Sequence, residues 1–193
     1  PDSAEDPFVK LLFTTAPPPQ FQDNASAPMV KPHLNSKRAQ AALSALCGLC
    51  ESIENTSDLL EEIIATLIGD GPFVRAAVFV VSENRRSAAV LRSAGNDLIA
   101  GTEVAFSDPT NPLAICMQQV RSFNNGGVKD LSAPLGISSY AVAPINVRHN
   151  TPVFLYADCG SERSMTFEAR KLFRYVVGLL NSTLPNIDGD LPS

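Results

Sequence analysis

The chain has 193 residues, 45% of them hydrophobic, and a formal net charge of −5. That length fills one hydrophobic core rather than two, and an acidic balance with no basic stripe excludes a broad electrostatic grip on nucleic acid or an anionic membrane surface. Four cysteines, Cys47, Cys50, Cys116 and Cys159, are too few for a disulfide framework. No apolar run approaches the roughly 18 residues of a spanning helix, and the start has no signal pattern. The expectation is therefore a reducing, cytoplasmic setting, and a start at Pro1 rather than Met suggests a piece of a longer protein.

Residues 1–34 hold seven of the fifteen prolines, at 1, 7, 17, 18, 19, 28 and 32. Proline has no amide hydrogen and breaks helix interiors, so this stretch reads as an extended arm or linker. Within it, Phe8 to Phe13 (FVKLLF) is a short apolar cluster, read as lying against the domain surface or, more sharply, as a docking peptide. Asn35 or Ser36 is placed to cap a helix running through KRAQAALSALCGLCESIEN. Ala39, Leu43, Leu46, Cys50 and Ile53 step along it by fours and threes, a narrow stripe of the coiled-coil kind. Leu43, Leu46, Cys50 and Ile53 are accordingly the candidate contacts of a homodimer formed through the terminal helices, the last helix of the chain included. Asn55, Thr56 and Ser57, followed by Asp58, Glu61 and Glu62, signal either a fresh helix start or a kink near Thr56. Gly69 to Pro72 end that helical stretch.

Ala76 to Val81 is an unbroken apolar run of strand-favouring residues, stopped by Ser82, Glu83 and Asn84, and Ala88 to Leu91 follows as its hairpin partner. A strand apolar on both sides needs cover on each face of its sheet. A third short strand is expected near Thr102 to Phe106, then a helix from Pro112 to about Phe123, then loop from Val128 to Ser139. Tyr140 to Val147 and Pro152 to Ala157 form a second apolar hairpin. Ser164 or Thr166 caps a last helix whose apolar face comprises Phe167, Leu172, Phe173, Val176, Val177 and Leu180. The fold class is α+β, an antiparallel central sheet with the N- and C-terminal helices on one face and the shorter helix plus loop on the other. One domain is expected over residues 35–185, after the arm at 1–34 and before a tail at 186–193.

The stretches LLEEIIATLIGDGPFVRAAVFVVSENRR and SSYAVAPINVRHNTPVFLYADCGSERSMTFEARKLFRYVVGLL resemble a GAF domain, in which a helix leads into a hairpin and an "AVPL" strand leads through a tight turn into a "vLYxD" strand and a closing helix. The resemblance spans about Asn55 to Leu184 and rests on apolar patterns rather than catalytic signatures. It implies a non-enzymatic regulatory, sensory or interaction module of a larger signalling protein, with other domains of the same protein as partners. The chain departs from the family in HNTP at the turn, where a Gly often stands, and in a short segment from Asn124 to Gly136 where the family usually lids a ligand pocket. That short segment implies a small, shallow or absent site. No NKFDE-like stretch of cyclic-nucleotide binding is present, and no Cys stands beside a His as bilin attachment requires.

Candidate ligand contacts are Phe79 and Met117, facing one another across the sheet and the shorter helix, with Tyr140 and Tyr156 near strand ends, where a buried hydroxyl wants a partner. Core packing is the plainer role for the two tyrosines. No cofactor and no metal site is expected, because Cys116 and Cys159 are too far apart in sequence to join Cys47 and Cys50 as a second close pair. Cys47-Gly48-Leu49-Cys50 lies mid-helix, away from the helix start where a dipole activates such thiols. The competing reading is a thiol-based redox sensor or methionine-sulfoxide-reducing enzyme using Cys116 and Cys159. Against it, Cys116 falls on an apolar helix face and Asp158 disfavours a thiolate at Cys159. His33 and His149 fall in linker and turn, and Arg85 and Arg86 in a hairpin turn.

Overall fold

The computed structural model describes residues 29–95, 100–105, 113–114, 123–124, 135, 139–147, 152–161, 163–189 and 191. Phe8 to Phe13, Cys116, Met117 and His149 lie outside the described residues. Helix α1 (Lys37–Ser52) starts where the Ser36 side chain accepts from the Ala39 amide, and ends as Ile53 turns extended. Helix α2 (Thr56–Gly69) is a separate helix, since Asn55 is itself extended and its side chain accepts from the amides of Ser57 and Asp58. Arg38 of α1 reaches the other end of α2 and donates to the carbonyls of Ile68 and Gly69, at 3.3 and 3.2 Å. A basic group there satisfies carbonyls that no helical amide can reach. The chain then turns at Gly71, where a Cβ would stand 2.1 Å from the Leu67 carbonyl oxygen.

Strands β1 (Arg75–Val81), β2 (Ser87–Ala94), β3 (Glu103–Ala105), β4 (Phe123–Asn124), β5 (Tyr140–Ile145) and β6 (Val153–Asp158) form one sheet in the order β3-β2-β1-β6-β5-β4, each adjacent pair antiparallel. The two hairpins meet along β1 and β6, at the centre of the sheet, where the most continuous apolar runs lie. The expected helix from Pro112 to Phe123 is described only at Leu113 and Ala114, which are helical. Phe123, expected at its end, is strand instead, because the backbone of Phe123 and Asn124 pairs with Val142 and Ala141 of β5. Among the described residues β4 reaches no further along β5, so Pro144, with no amide to donate, sits where that side of the strand is an edge. A bulge in β2 sets Val78 opposite Arg92 and Phe79 opposite Val90. The extra residue, Leu91, packs with the helices, and Arg92 reaches Glu61 of α2 at 3.9 Å.

Helix α3 (Phe167–Thr183) is capped by Thr166, whose side chain accepts from the Ala169 amide at 3.1 Å. Ala76, Val78, Ala141, Ala143, Val153, Leu155 and Ala157 point from the sheet to the helices. There they meet Leu46, Leu60, Ile63, Ile64, Leu67, Leu172, Phe173, Val176 and Leu180 in the main core. Phe167 is not part of the apolar face expected of it: at the first helical position it is 68% exposed, with the Lys171 ammonium 4.8 Å from its ring centre. The buried stripe of α1 is Ala39, Ala42, Leu43, Leu46 and Cys47, with Cys50 half-buried. It is broader than the narrow stripe expected, in the manner of a helix lying on its own domain. The core also extends past the expected domain bounds. Leu34 is fully buried, and Ile187 and Leu191 pack against the same cluster.

Candidate functional site

Alternation along the strands carries the odd residues of β1 and the even residues of β5 and β6 to the face away from α1, α2 and α3. Ala77, Phe79, Val81, Tyr140, Val142, Phe154 and Tyr156 gather there, with Ala88 and Val90 of β2 and with Leu113 and Ala114. Three of the four expected ligand contacts, Phe79, Tyr140 and Tyr156, are thus neighbours, and Met117 lies outside the described residues. Their rings touch diagonally across adjacent strands. Phe79 and Tyr156 meet edge to face at 6.0 Å between centroids, and Tyr156 stacks on Tyr140 at 5.8 Å with the planes 18° apart. All three are fully buried.

One row along, Arg75 of β1 and Tyr140 of β5 stand directly opposite Asp158 of β6. The Asp158 carboxylate is 0% exposed, yet each oxygen is served. Oδ2 accepts from Arg75 Nε at 2.9 Å, from the Arg75 terminal nitrogen at 2.8 Å and from the Tyr156 hydroxyl at 2.8 Å. Oδ1 accepts from the Gly160 amide at 2.8 Å, and Gly160 holds a φ of +80° that suits glycine. The same Arg75 terminal nitrogen donates to the Leu135 carbonyl at 3.4 Å, tying the segment before β5 to the sheet. A carboxylate is tolerable in an interior only when paired and hydrogen-bonded in this way. Burial, then the Asp158 charge, drives the Tyr156 hydroxyl far above the ordinary tyrosine range, so it stays a proton donor. For Arg75, burial works against the cation, and the hydrogen bond and charge of Asp158 overcome it, so its pKa is raised.

The thiols stand differently. Cys159 follows Asp158 directly, is 6% exposed and points its sulfur at the Pro72 carbonyl, 3.7 Å away. Burial first and the neighbouring carboxylate second push its pKa up to about 11, against a smaller opposing pull from Arg163. Cys50 is likewise pushed up to about 11, chiefly by burial. Cys47 is buried, with its sulfur 3.9 Å from the Tyr175 hydroxyl, and Cys47, Cys50 and Cys159 are free thiols. Among the described residues no group of three or more His, Cys, Asp or Glu is arranged to hold a metal ion, and no helix is long and apolar enough to cross a membrane.

The expected dimer contacts divide. Leu46 is fully buried and Leu43 8% exposed within the single chain, while Cys50 and Ile53 are half-buried at its surface. Residues 29–35 also occupy part of the outer side of α3, since the Asn35 amide donates to Glu168 and the Met29 sulfur sits 2.7 Å from where a Cβ on Gly178 would be.

Sequence reasoning found the aromatic half of this face and missed the polar half. Arg75 and Asp158 were visible as the two charges bounding the central strands, and a Tyr two residues before an Asp at a strand end puts a hydroxyl and a carboxylate on one face. Their pairing needs the β1 to β6 register, which no local pattern carries.

No known family profile and no curated relative matches the chain. Solved structures do. A methyl-accepting chemotaxis protein, residues 122 to 287, aligns with a TM-score of 0.58 at 14% identity, over 72% of this chain and 93% of that one. Free methionine-R-sulfoxide reductase from Neisseria meningitidis, in complex with its substrate, aligns with a TM-score of 0.56 at 15% identity, over 81% and 95%. The GAF domain of an Acinetobacter phosphoenolpyruvate-protein phosphotransferase gives 0.54 at 12% identity, over 77% and 94%. The fold is that of GAF domains, and identities this low speak to the fold alone.

Proposed function

We propose that this GAF-like chain is a non-enzymatic regulatory module of a larger cytoplasmic signalling protein. It acts through interactions with other domains of that protein and with a second copy of itself, and any small-molecule site is small. The observation that carries this reading is the state of the thiol beside the candidate face. Cys159 is buried, aimed at a backbone carbonyl and has its pKa pushed up to about 11 by burial and by Asp158, the opposite of what a nucleophilic sulfur needs. The likeness to the chemotaxis and phosphotransferase structures supports a signalling role.

A ligand, if the module senses one, would bind against Phe79, Tyr140, Tyr156 and Met117. The three described rings pack against one another, so a ligand would meet them at their edges. With Leu43 and Leu46 committed to the chain's own core, the dimer surface we propose is the outer side of α1 around Cys50 and Ile53. Light scattering at high micromolar concentration tests it, with a dimer expected and a monomer refuting it. Native mass spectrometry of freshly expressed protein tests for a retained ligand.

The second reading, reduction of a methionine sulfoxide by Cys116 or Cys159, draws support from the shared fold with the Neisseria reductase. Turnover lost on Cys116→Ser or Cys159→Ser would establish it. No turnover, with slow labelling of the native thiols, removes it.

A further inference from the structure

The start of α2 is completed from outside the helix. A helix leaves its first amides without intrahelical acceptors. Asn55 serves Ser57 and Asp58 through its side chain, at 2.9 and 3.2 Å, and Leu59 through its carbonyl, at 3.0 Å. The Thr56 amide is served by none of these. It donates instead to the carbonyl of Asp188 at 3.1 Å, and the Thr56 hydroxyl donates to the same oxygen at 3.4 Å. Thr56 is buried, so this amide has little recourse to water.

Asp188 comes from the segment that follows α3. The chain leaves α3 through a 3-10 turn, Leu184–Asn186, in which the Asn186 side chain donates to the Ser182 carbonyl at 2.8 Å. It then lies parallel to Asn55 as an isolated bridge. Gly189 holds a φ of +108°, and a Cβ there would stand 2.9 Å from the Asn55 side-chain nitrogen. The grip is slight beside that of the core. Asp188 and Gly189 are exposed, and Ile187 and Leu191 only partly buried.

We infer that the segment after α3 is a releasable strap whose Asp188 carbonyl completes the cap of α2, so that attaching or lifting it orders or frays the first turn of that helix. The other end of α2 is held by Arg38 and leads through Phe73 into Arg75, the residue that opens the buried ion pair. The strap and the candidate face thus lie at opposite ends of one helix-to-strand unit. Partial loosening of a weakly held element is a common way for a fold to switch without unfolding.

Native-state hydrogen exchange on the full chain tests this. In the unaltered protein the Thr56 amide is expected to exchange by local opening, at least about 100-fold less protected than the amides of Val78 and Phe79 in β1. Equal protection would overturn a releasable strap. Gly189→Val, which forbids the φ and intrudes on Asn55, should speed exchange at Thr56 to Leu60 by about tenfold with the sheet unchanged. An unchanged helix start, or an equal loss in the sheet, would overturn the proposal. Thr56→Pro supplies the converse, because proline suits the first helical position and has no amide to donate. The strap amides should then lose protection while Asp58 to Leu60 keep theirs. Retained strap protection would show that Asp188 is held by something other than Thr56, and would overturn it too.

Discussion

Replacing Asp158 by Asn keeps the shape of the side chain and removes its charge. Arg75, whose side chain is 13% exposed, would then hold a cation in the interior with no counter-charge, and one oxygen would be lost among donors from Arg75, Tyr156 and Gly160. Breaking a buried pair from one side costs about 3–5 kcal/mol, whereas an exposed pair is worth about 1 kcal/mol or less. The slight exposure of Arg75 places the cost near the lower end, about 3 kcal/mol. With a urea dependence of about 2 kcal/mol per molar, the unfolding midpoint should fall by about 1.5 M. A fall below about 0.5 M would mean that the network behaves as a surface ion pair and would refute its role in the interior. Replacing the pair together, as Arg75→Met with Asp158→Leu, should cost less than the two single changes added, since no charge is then left alone.

Leu46→Ala should destabilise the chain by about 2–5 kcal/mol in the same unfolding assay, because Leu46 is packed inside one chain; a change under about 0.5 kcal/mol would return it to a surface role. Arg85 holds a φ of 56° in the β1 to β2 turn, so Arg85→Gly should raise stability by about 0.5–1 kcal/mol, and a loss would contradict that backbone. Alkaline pH should weaken the fold. Cys50 and Cys159, raised from 9.0 to about 11, and Tyr156, raised above 10.0, keep protons in the folded state that the unfolded chain releases. The contribution of the two cysteines is whole below pH 9 and lost as pH climbs through 11, whereas that of Tyr156 begins to fall only above pH 10 and goes on falling beyond that range. Urea midpoints between pH 8 and 11 should fall, and less steeply in the Cys50→Ser, Cys159→Ser variant.

Elements whose signals are local were legible before the structure. Ala76 to Val81 announced β1 by its unbroken apolar run, Asn55 to Ser57 marked a fresh helix start or a kink where α2 begins, and Ser164 or Thr166 offered a cap for α3, which Thr166 supplies. What failed depended on distant partners. Phe123 sits in a strand because β5 is there to pair with it, a long-range bond that overrode the expected helical reading. Phe167 had the right spacing for the core of α3 but stands at the helix's first position, exposed, with Lys171 over its ring. The α1 stripe was drawn through Cys50 and Ile53 when Ala42 and Cys47 are the buried positions, since small residues carry little weight in an apolar pattern. At the candidate face, alternation alone placed Phe79, Tyr140 and Tyr156 together. The link from Asp158 to Arg75 crosses 83 positions of chain and exists only once β1 and β6 are in register.

The central claim, that this GAF-like chain regulates by binding rather than by thiol chemistry, is tested most directly by incubating it with free methionine sulfoxide and a dithiol reductant. The assay follows loss of the sulfoxide by chromatography, with Cys116→Ser and Cys159→Ser variants alongside. The account predicts a rate no higher than that of buffer in all three, in keeping with the burial of Cys159 and a pKa pushed up to about 11. Turnover by the unaltered chain that disappears in either variant would contradict the account.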